Sequence, residues 1–279
     1  MLASRQGWHT DQLCRALRAR GVRARIAPYE GLVSRLGPAR LDPSVHPGDI
    51  VLARIIPNGS LEQIIYRVDA LHWLEDVGVR VINSPRTIER TVDKFYTSAL
   101  LHEAGLTTPE TIVCERLDDA MAAYRHLRDV IVKPLFGSMG LGLVRVSDED
   151  TAWRVLRAIE QVRGIFYLQR YIDHDGRDIR AFVIGGKVFG AIERSSPTWR
   201  TNVSRGGAAK PLTLTAEQTD MALRAAAAVD SGYAGVDLLP GNDGKLYALE
   251  VNGIPGWRGL HDATGLDVAG GIVDYALSV

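Results

Sequence analysis

Cysteine is scarce in this sequence: Cys14 and Cys114 are the only two among 279 residues. Two cysteines cannot build a framework of disulfides, and their separation is not that of paired metal ligands. The sequence therefore indicates a protein of a reducing compartment, and we expect it in the cytoplasm.

Long apolar runs are lacking as well. No stretch approaches the roughly 18 apolar residues of a membrane span. The N-terminal residues 1–21 contain no continuous apolar core of the kind that a signal peptide needs. We therefore expect no membrane partner.

An excess of charge of either sign is also missing. The 33 basic residues equal the 33 acidic ones, so no field of the whole chain attracts nucleic acid or an anionic membrane. We expect no nucleic-acid partner, although a local basic patch is compatible with these totals. With 46% hydrophobic residues and 28 glycines, the chain can bury a sizeable core in one large domain or a few small ones.

Residues 1–88 alternate between strand and helix patterns, which predicts a small open α/β domain. Its predicted elements are a helix over 8–20, strands over 22–29, 49–55 and 79–85, and a helix over 61–78. The apolar face predicted for that second helix consists of Ile64, Ile65, Val68, Leu71 and Leu74.

Two further units follow. Residues 89–168 open with one predicted helix that ends near Gly105 and continue with strands and helices, which predicts a small α+β unit. Residues 169–279 predict mostly antiparallel strands with helices against one face. The fold class is thus mixed α/β (α+β).

A predicted hairpin near residue 243 brings three oxygen-bearing side chains together. If Asp243 and Gly244 form its turn, Asp237 lies opposite Glu250, and strand periodicity adds Asn252 to the same face. Val236, Leu238, Leu249 and Val251 would fill the other face. Two facing carboxylates repel each other unless a cation lies between them, and oxygen ligands suit a hard divalent cation. The alternative is an exposed acidic hairpin, and a longer turn at Pro240 would shift the register by one residue.

A glycine loop, KPLFGSMGLG at 133–142, follows an apolar strand. Its glycines 137, 140 and 142 allow backbone N–H groups to approach a phosphate, and Lys133 can direct its charge at the same anion. The loop is neither a Walker loop nor a dinucleotide fingerprint, because a strand pattern resumes after it. It predicts a flexible flap over a nucleotide, with an ordinary hairpin as the alternative.

A third feature is the polar run at residues 193–210, which predicts a loop. It carries Arg194, Arg200, Asn202, Arg205 and Lys210. So many cations in a chain without excess positive charge suggest an anion site, and a solvated loop is the alternative. In the adjoining strand, Asp178 and Arg180 share a face, where an internal ion pair would also explain them.

Seven motifs occur in an order and spacing that resemble one known family. They are VINSPRTIERTVDK (81–94), VKPLFGSMGLG (132–142), LQRYI (168–172), GRDIRAFVIGGKVFGAIER (176–194), WRTNVSRGG (199–207), AGVDLL (234–239) and LEVNGIPGW (249–257). From about residue 79 onward the chain resembles the RimK-like family of ATP-grasp ligases. The resemblance implies the ATP-grasp fold, with residues 1–88 preceding a central subdomain at 89–168 and a C-terminal subdomain at 169–279.

The resemblance also implies roles for particular residues. Lys94 and Lys133 would contact the phosphates of ATP, with Gly137, Ser138, Met139, Gly140 and Gly142 over them. Arg170 and Tyr171 would lie at the adenine hinge, where many relatives have a carboxylate and Arg170 departs from that pattern. Asp178 would approach the ribose. Arg200 and Asn202 would lie near the transferred phosphoryl group, with Arg194 and Arg205 beside them as catalytic cations. Asp237, Glu250 and Asn252 would hold Mg²⁺.

Members of the family form amide bonds, usually by adding glutamate or another amino acid to a peptide, an amino-acid carrier or a cofactor. The resemblance therefore implies ATP and two Mg²⁺ ions, with Mn²⁺ able to substitute, an amine or carboxylate acceptor, and a homo-oligomer by analogy. Residues 7–21 and 53–72, together with the tryptophan-bearing segments WRTN (199–202) and PGWRGL (255–260), resemble the subgroup that glutamylates methanopterin- and methanofuran-type cofactors.

Several alternatives stay open at this point. Ligation to a carrier protein or a peptide C-terminus and a non-catalytic ATP-binding regulator remain, while a nicotinamide oxidoreductase lacks its fingerprint. Arg54 and Arg67 could bind an acidic acceptor or have surface roles. A contact between Trp257 and the acceptor is also open.

Overall fold

The structure is a computed structural model of the chain, and it describes residues 1–4, 6–36, 45–46, 48–137, 141–200 and 208–279. Five predicted site residues lie outside this part of the chain, namely Ser138, Met139, Gly140, Asn202 and Arg205. Within the described ranges the strands form one sheet of two strands, one of four and one of five. In those ranges no helix combines the length and apolar character needed to cross a bilayer.

The N-terminal unit is a small α/β layer. It contains α1 (Trp8–Ala19), β1 (Ile50–Leu52), α2 (Leu61–Asp76) and β2 (Arg80–Ile82), and β1 and β2 pair in parallel. The strand predicted over 22–29 is wrong. That segment makes only an isolated parallel bridge, from Ala27 to Leu2.

The buried face of α2 also differs from the prediction. Its buried residues are Arg67, Ala70, Leu71 and Leu74, which follow helical spacing. Ile64 and Ile65, which the sequence placed on that face, are 38% and 49% exposed. Arg67 is the first residue of the buried face. Its guanidinium can be buried because it donates to the backbone oxygens of Pro57 (2.8 Å) and Asn58 (3.5 Å).

Asp93 divides the single helix that was predicted to end near Gly105. The chain forms α3 (Pro85–Val92) and α4 (Lys94–Glu103) instead. The Asp93 carboxylate accepts hydrogen bonds from the backbone N–H groups of Phe95 (2.8 Å) and Tyr96 (3.0 Å), so it caps α4. Lys94 therefore stands at the first position of a helix instead of in the middle of one.

The four-stranded sheet follows. Its elements are β3 (Thr111–Cys114), α5 (Leu117–Leu127), β4 (Val130–Lys133), β5 (Val144–Val146), α6 (Glu149–Gln161) and β6 (Phe166–Arg170). The order is β3-β6-β4-β5 with antiparallel pairing throughout. Phe166 and Leu168 point from β6 into a core with α5 and α6. Alternation then turns Tyr167 and Gln169 to the opposite face.

The five-stranded sheet completes the fold. Its elements are β7 (Arg177–Ile184), β8 (Lys187–Ser195), β9 (Ala208–Pro211), α7 (Ala216–Ala228), β10 (Tyr233–Pro240), β11 (Leu246–Asn252), α8 (Arg258–Thr264) and α9 (Val268–Ser278). The antiparallel order is β11-β10-β7-β8-β9. The prediction of helices on one face is wrong: α7 covers Ala181 and Val236, whereas α1 and α9 cover Phe182 and Tyr233 on the other face.

Candidate active site

A cleft is lined by residues from both larger sheets. The four-stranded sheet contributes residues of β4, β6 and the glycine loop, and the five-stranded sheet contributes residues of β7, β8, β10 and β11. The charged residues in its lining are Lys94, Lys133, Arg170, Arg194, Arg200, Asp178, Asp237 and Glu250. Most of the site residues predicted within the described part of the chain are therefore brought together.

A bulge sets the register at the carboxylates. Near the turn Pro240 pairs with Leu246, one residue out of the register that a two-residue turn would produce. A register shift between Asp237 and Leu238 then restores the predicted pairing of Asp237 with Glu250. The extra residue, Leu249, lines the cleft instead of filling the opposite face as predicted.

Asp237 lies in a network of buried ion pairs. Its carboxylate accepts two hydrogen bonds from Arg180 (one at 2.7 Å), and Arg194 approaches it to 3.2 Å. Burial alone would raise the pKa of Asp237, but Arg180 and Arg194 hold that pKa below its ordinary value. Asp178 binds Arg194 through two bonds of 2.6 Å, so the predicted alternative of an Asp178–Arg180 pair is wrong.

Glu250 and Asn252 are less engaged. Asn252 Nδ2 donates to Glu250 Oε1 at 3.0 Å, as expected for neighbours on one face of a strand. Among the described residues no donor reaches Glu250 Oε2 or Asn252 Oδ1. In the same part of the chain no three histidine, cysteine, aspartate or glutamate side chains cluster as metal ligands. The predicted metal ligands Asp237, Glu250 and Asn252 are two carboxylates and one amide.

The lysines converge on the cleft from separate elements. Lys133 Nζ, at the end of β4, donates to Gln169 Oε1 at 2.6 Å. Burial lowers the pKa of Lys133 to about 8, against the opposing attraction of Glu250. Lys94 Nζ donates to the backbone oxygen of Gly137 at 2.7 Å, and burial lowers its pKa as well.

The glycine loop is tied at both ends. Lys94 holds Gly137, and Arg200 Nη2 donates to the backbone oxygen of Leu143, directly after the loop, at 2.7 Å. Gly137 and Gly142 have φ of 133° and 77°, which side-chain-bearing residues rarely adopt. The guanidinium of Arg200 lies 4.2 Å from the ring centre of Trp199, and its buried Nε has no hydrogen-bond partner among the described residues.

Arg170 and Tyr171 lie at the edge of the cleft. The Arg170 guanidinium points to Glu110, which it meets at 2.5 Å and 3.2 Å, and to the backbone oxygen of Leu127 at 3.1 Å. Tyr171 stacks with Arg145, whose guanidinium is 3.5 Å from the ring centre. Arg170 is thus engaged by the carboxylate of Glu110, which directly precedes β3.

Sequence reasoning missed several residues of the lining. These are Gln169, His174 and Trp199 among the polar ones, and Ile131, Leu141, Leu143, Ile172, Leu239 and Leu249 among the apolar ones. The buried Nδ1 of His174 has no hydrogen-bond partner among the described residues. Alternation along LQRYI signalled Gln169, because it shares a face with Tyr167. The apolar residues come from five segments of the chain that no single motif connects.

Lys210, Arg54 and Arg67, which the sequence offered as anion-binding cations, do not belong to the cleft lining, and Arg67 is 5% exposed, which also rules out a surface role for it. Lys210 lies on β9 and pairs with Glu193 at 2.9 Å, because β8 and β9 extend into the run predicted as a loop. Arg54 is 5% exposed, which rules out its surface role, and its guanidinium donates to Tyr233 Oη and the backbone oxygen of Pro255. Trp257 lies under Arg54, at 4.9 Å, in the core and is 2% exposed.

The family of the chain follows from sequence comparison. Residues 91–276 match the RimK-like ATP-grasp domain. The chain belongs to this family. It is therefore an enzyme, an ATP-grasp ligase, and the resemblance that the motifs indicated is confirmed, including its likeness to ligases that glutamylate methanopterin-type cofactors.

Relatives of this RimK-like ligase cover most of its length. The tetrahydromethanopterin:alpha-L-glutamate ligase of Methanosarcina acetivorans is 36% identical over 260 residues, covering 83% of this chain and 80% of that protein. A probable alpha-L-glutamate ligase of Chromohalobacter salexigens is 32% identical over 280 residues, covering 98% and 92%.

Solved structures share the fold of the RimK-like ligase. A RimK domain ATP-grasp protein from Sphaerobacter thermophilus superposes with a TM-score of 0.77 at 22% identity, covering 98% of this chain and 97% of that one. The ATP-grasp ligase PsnB, solved with its minimal precursor, Mg and ADP, gives a TM-score of 0.75 at 21% identity, covering 99% and 96%. These likenesses confirm the predicted fold class.

Proposed function

We propose that the protein joins a carboxylate to an amine at the expense of ATP, through an acyl phosphate, and releases ADP and phosphate. The cleft, formed by the units 89–168 and 169–279, would hold the nucleotide. L-Glutamate is the proposed amino acid, and the acceptor is a small C1-carrier cofactor of the kind named for the methanogen relatives.

One observation carries the proposal. Lys94, Lys133 and Arg200 line the cleft, and each donates to a neutral oxygen: the backbone of Gly137, the amide of Gln169 and the backbone of Leu143. None of these three cations has an ion-pair partner in the described part of the chain. Positive charge that no carboxylate contacts directly, at a partly buried site, favours a polyanion, and a triphosphate supplies one.

The apolar lining supports the same ligand. Ile131, Leu239 and Leu249 lie in the cleft with Tyr171 at its edge. Apolar side chains beside a few polar groups are typical of a pocket for a planar base. Asp178 is a weaker candidate for the ribose, since Arg194 already occupies both of its oxygens.

The carboxylate cluster fits Mg²⁺. Glu250 and Asn252 each keep an oxygen without a donor among the described residues, and oxygen ligands are those that this ion prefers. A carboxylate has about four lone-pair sites, so Asp237 retains capacity beside its arginines. We propose that Glu250 and Asn252 are the main ligands, with Asp237 as a third, for two ions. Bound Mg²⁺ would neutralise the charge that develops on the phosphates.

The residues of the chain would divide the remaining work. Attack of a substrate carboxylate on the γ-phosphate brings anions together, so Arg200 and Lys133 stabilise the transferred group. Arg194 is bonded to Asp178 and Asp237, so it would hold these two carboxylates in position instead of contacting the transferred group. The glycine loop excludes water from the acyl phosphate until an amine displaces the phosphate.

The test is turnover with defined substrates. Purified protein is incubated with ATP, Mg²⁺, L-glutamate and each of several acceptors: reduced pterin cofactors, a carrier protein and a peptide. ADP release and product mass are followed. ADP and an acceptor heavier by one or more glutamyl units are expected with the pterin. A product on the peptide or carrier protein alone would overturn the acceptor class.

A different result would overturn the activity itself. If ATP binds but no combination of carboxylate and amine stimulates ADP release, the proposed ligation is wrong and a nucleotide-binding regulator explains the site better.

A further inference from the structure

Gln169 occupies the centre of the four-stranded sheet beneath the cleft. It lies on β6 and faces Thr111 of β3 on one side and Ile131 of β4 on the other. Its side chain is 3% exposed although it belongs to the cleft lining. A buried amide in a central strand costs free energy unless all of its polar atoms are hydrogen-bonded.

The neighbouring hydroxyl groups determine how this amide is oriented. Thr111 Oγ1 donates its proton to the backbone oxygen of Pro109 at 2.9 Å, so it can only accept from Gln169. Gln169 Nε2 donates to Thr111 Oγ1 at 2.9 Å and to Tyr167 Oη at 3.3 Å. Tyr167 Oη in turn shares a hydrogen bond of 2.8 Å with Ser98 Oγ.

The amide oxygen is thereby left for Lys133. With both protons of Nε2 committed to hydroxyl oxygens, Oε1 must face the ammonium group, 2.6 Å away. Lys133 also lies over the ring of Tyr167, its partner across the strands, at 5.8 Å from the ring centre. A neutral acceptor holds the ammonium group without cancelling its charge, whereas a carboxylate would neutralise it.

The same network reaches the second lysine. Ser98 stands one helical turn after Lys94 in α4, so its bond to Tyr167 ties that helix to β6. The two lysines are thus held to one strand through Gln169 and Tyr167.

We propose that Gln169 is a positioning residue, which holds the Lys133 ammonium group over the cleft for a nucleotide phosphate, with its amide locked in orientation by Thr111 and Tyr167. The inference rests on the proposed ATP site. One of the three ammonium protons binds Gln169, and the other two are left for phosphate oxygens.

The test compares a nucleotide with its nucleoside. Calorimetry with Mg²⁺ measures the affinities of Gln169→Met, which keeps a long unbranched side chain but has no amide, for ATP and for adenosine. Gln161→Met, at an exposed position, is the matched control. We expect the affinity for ATP to fall about tenfold, because a hydrogen bond of a charged group is lost, and the affinity for adenosine to stay unchanged.

A second variant keeps the inference testable if Gln169→Met does not fold. Tyr167→Phe removes one anchor of the amide and should weaken ATP binding about threefold without affecting adenosine. Where Gln169→Met does fold, adding it to Lys133→Ala should cost little further affinity, because both substitutions act on one interaction.

Equal losses for ATP and adenosine, or unchanged ATP affinity in both Gln169→Met and Tyr167→Phe, would overturn the inference and leave Gln169 a structural residue of the sheet. Failure of the unaltered protein to bind ATP would instead overturn the proposed function.

Discussion

Arg200 reaches from the β8–β9 connection to the end of the glycine loop, where its Nη2 donates to the backbone oxygen of Leu143 at 2.7 Å. Lys94 makes the corresponding contact with Gly137 at the start of the loop. Two elements outside the four-stranded sheet therefore hold the loop, through side chains that also line the cleft. In the proposed ATP site, the cations that bind phosphate would also hold the loop in position.

Loss of the hydrogen bond from Arg200 to the backbone oxygen of Leu143 should expose the proposed acyl phosphate intermediate to water. In Arg200→Ala we expect product formation to fall at least about tenfold, and more ADP to be released for each amide bond formed, because the loop excludes water less well. ADP and product are quantified in the same reaction. Arg154→Ala, an exposed arginine on α6, should behave like the unaltered enzyme. An unchanged ratio of ADP to product would refute the role of the tie.

Glu250 should be indispensable for turnover but not for folding. Glu250→Gln keeps the shape of the side chain and removes a charge that Mg²⁺ requires, so we expect ADP release to fall by about a hundredfold or more. Circular dichroism and thermal unfolding should match the unaltered protein, because Glu250 is only half-buried. Near-normal turnover would exclude Glu250 as a metal ligand.

Affinity for ATP should depend on pH through Lys133. Burial lowers the pKa of Lys133 to about 8, so its ammonium form, which attracts phosphate, is complete below that pH and lost above it. The Kd for ATP should therefore rise above about pH 8, by at most about tenfold per pH unit. In Lys133→Ala the affinity should be about ten- to a hundredfold weaker, and this dependence should disappear. A variant that retains the same inflection would assign the titration to another group.

Stability should depend on Asn83, a buried residue that does not line the cleft. Its amide donates to the backbone oxygens of Tyr233 (2.7 Å) and Gly253 (2.5 Å) and accepts from the N–H groups of Gly232 (2.9 Å) and Tyr233 (3.2 Å). Asn83→Ala would leave these groups without partners, so we expect the free energy of unfolding to drop by about 3 kcal/mol or more. Urea unfolding measures it.

The exposed Asn58 supplies the control for that measurement, because its side chain has no hydrogen bond among the described residues. Asn58→Ala should change the free energy of unfolding by less than about 0.5 kcal/mol. Equal effects of the two substitutions would show that the Asn83 amide does not join the N-terminal unit to the five-stranded sheet.

Local patterns predicted the helices and strands well where the residues of an element suffice to determine it. The helix α7, the strands β4 and β6, and the hairpin of β10 and β11 follow from apolar periodicity and turn residues. The prediction was wrong where contacts with other residues determine the secondary structure. Residues 22–29 form no strand because no partner strand in the described part of the chain pairs with them. Asp93 ends one helix and begins another. The buried face of α2 was misassigned because Arg67 is satisfied by a loop ten residues before it.

The candidate site divides in the same way. Motif order alone indicated the family, and the residue types at positions 94, 133, 200, 237 and 250 indicated which side chains belong together. The partners that these side chains bond, and hence whether their charges are paired, came from tertiary contacts that no motif shows. Asp237 is held by Arg180 and Arg194, and Leu249 enters the cleft through a bulge that compensates a longer turn.

The sequence by itself determined the fold class, the family and the chemical types of the site residues, because these depend on periodicity and on motifs that are local in the chain. Only the tertiary structure decided which charges cancel. Arg170 meets Glu110 and Arg194 meets Asp237, carboxylates of distant segments, while Lys94, Lys133 and Arg200 meet neutral oxygens. Coulomb energies depend on distance in space and on burial, and neither can be read from separation along the chain.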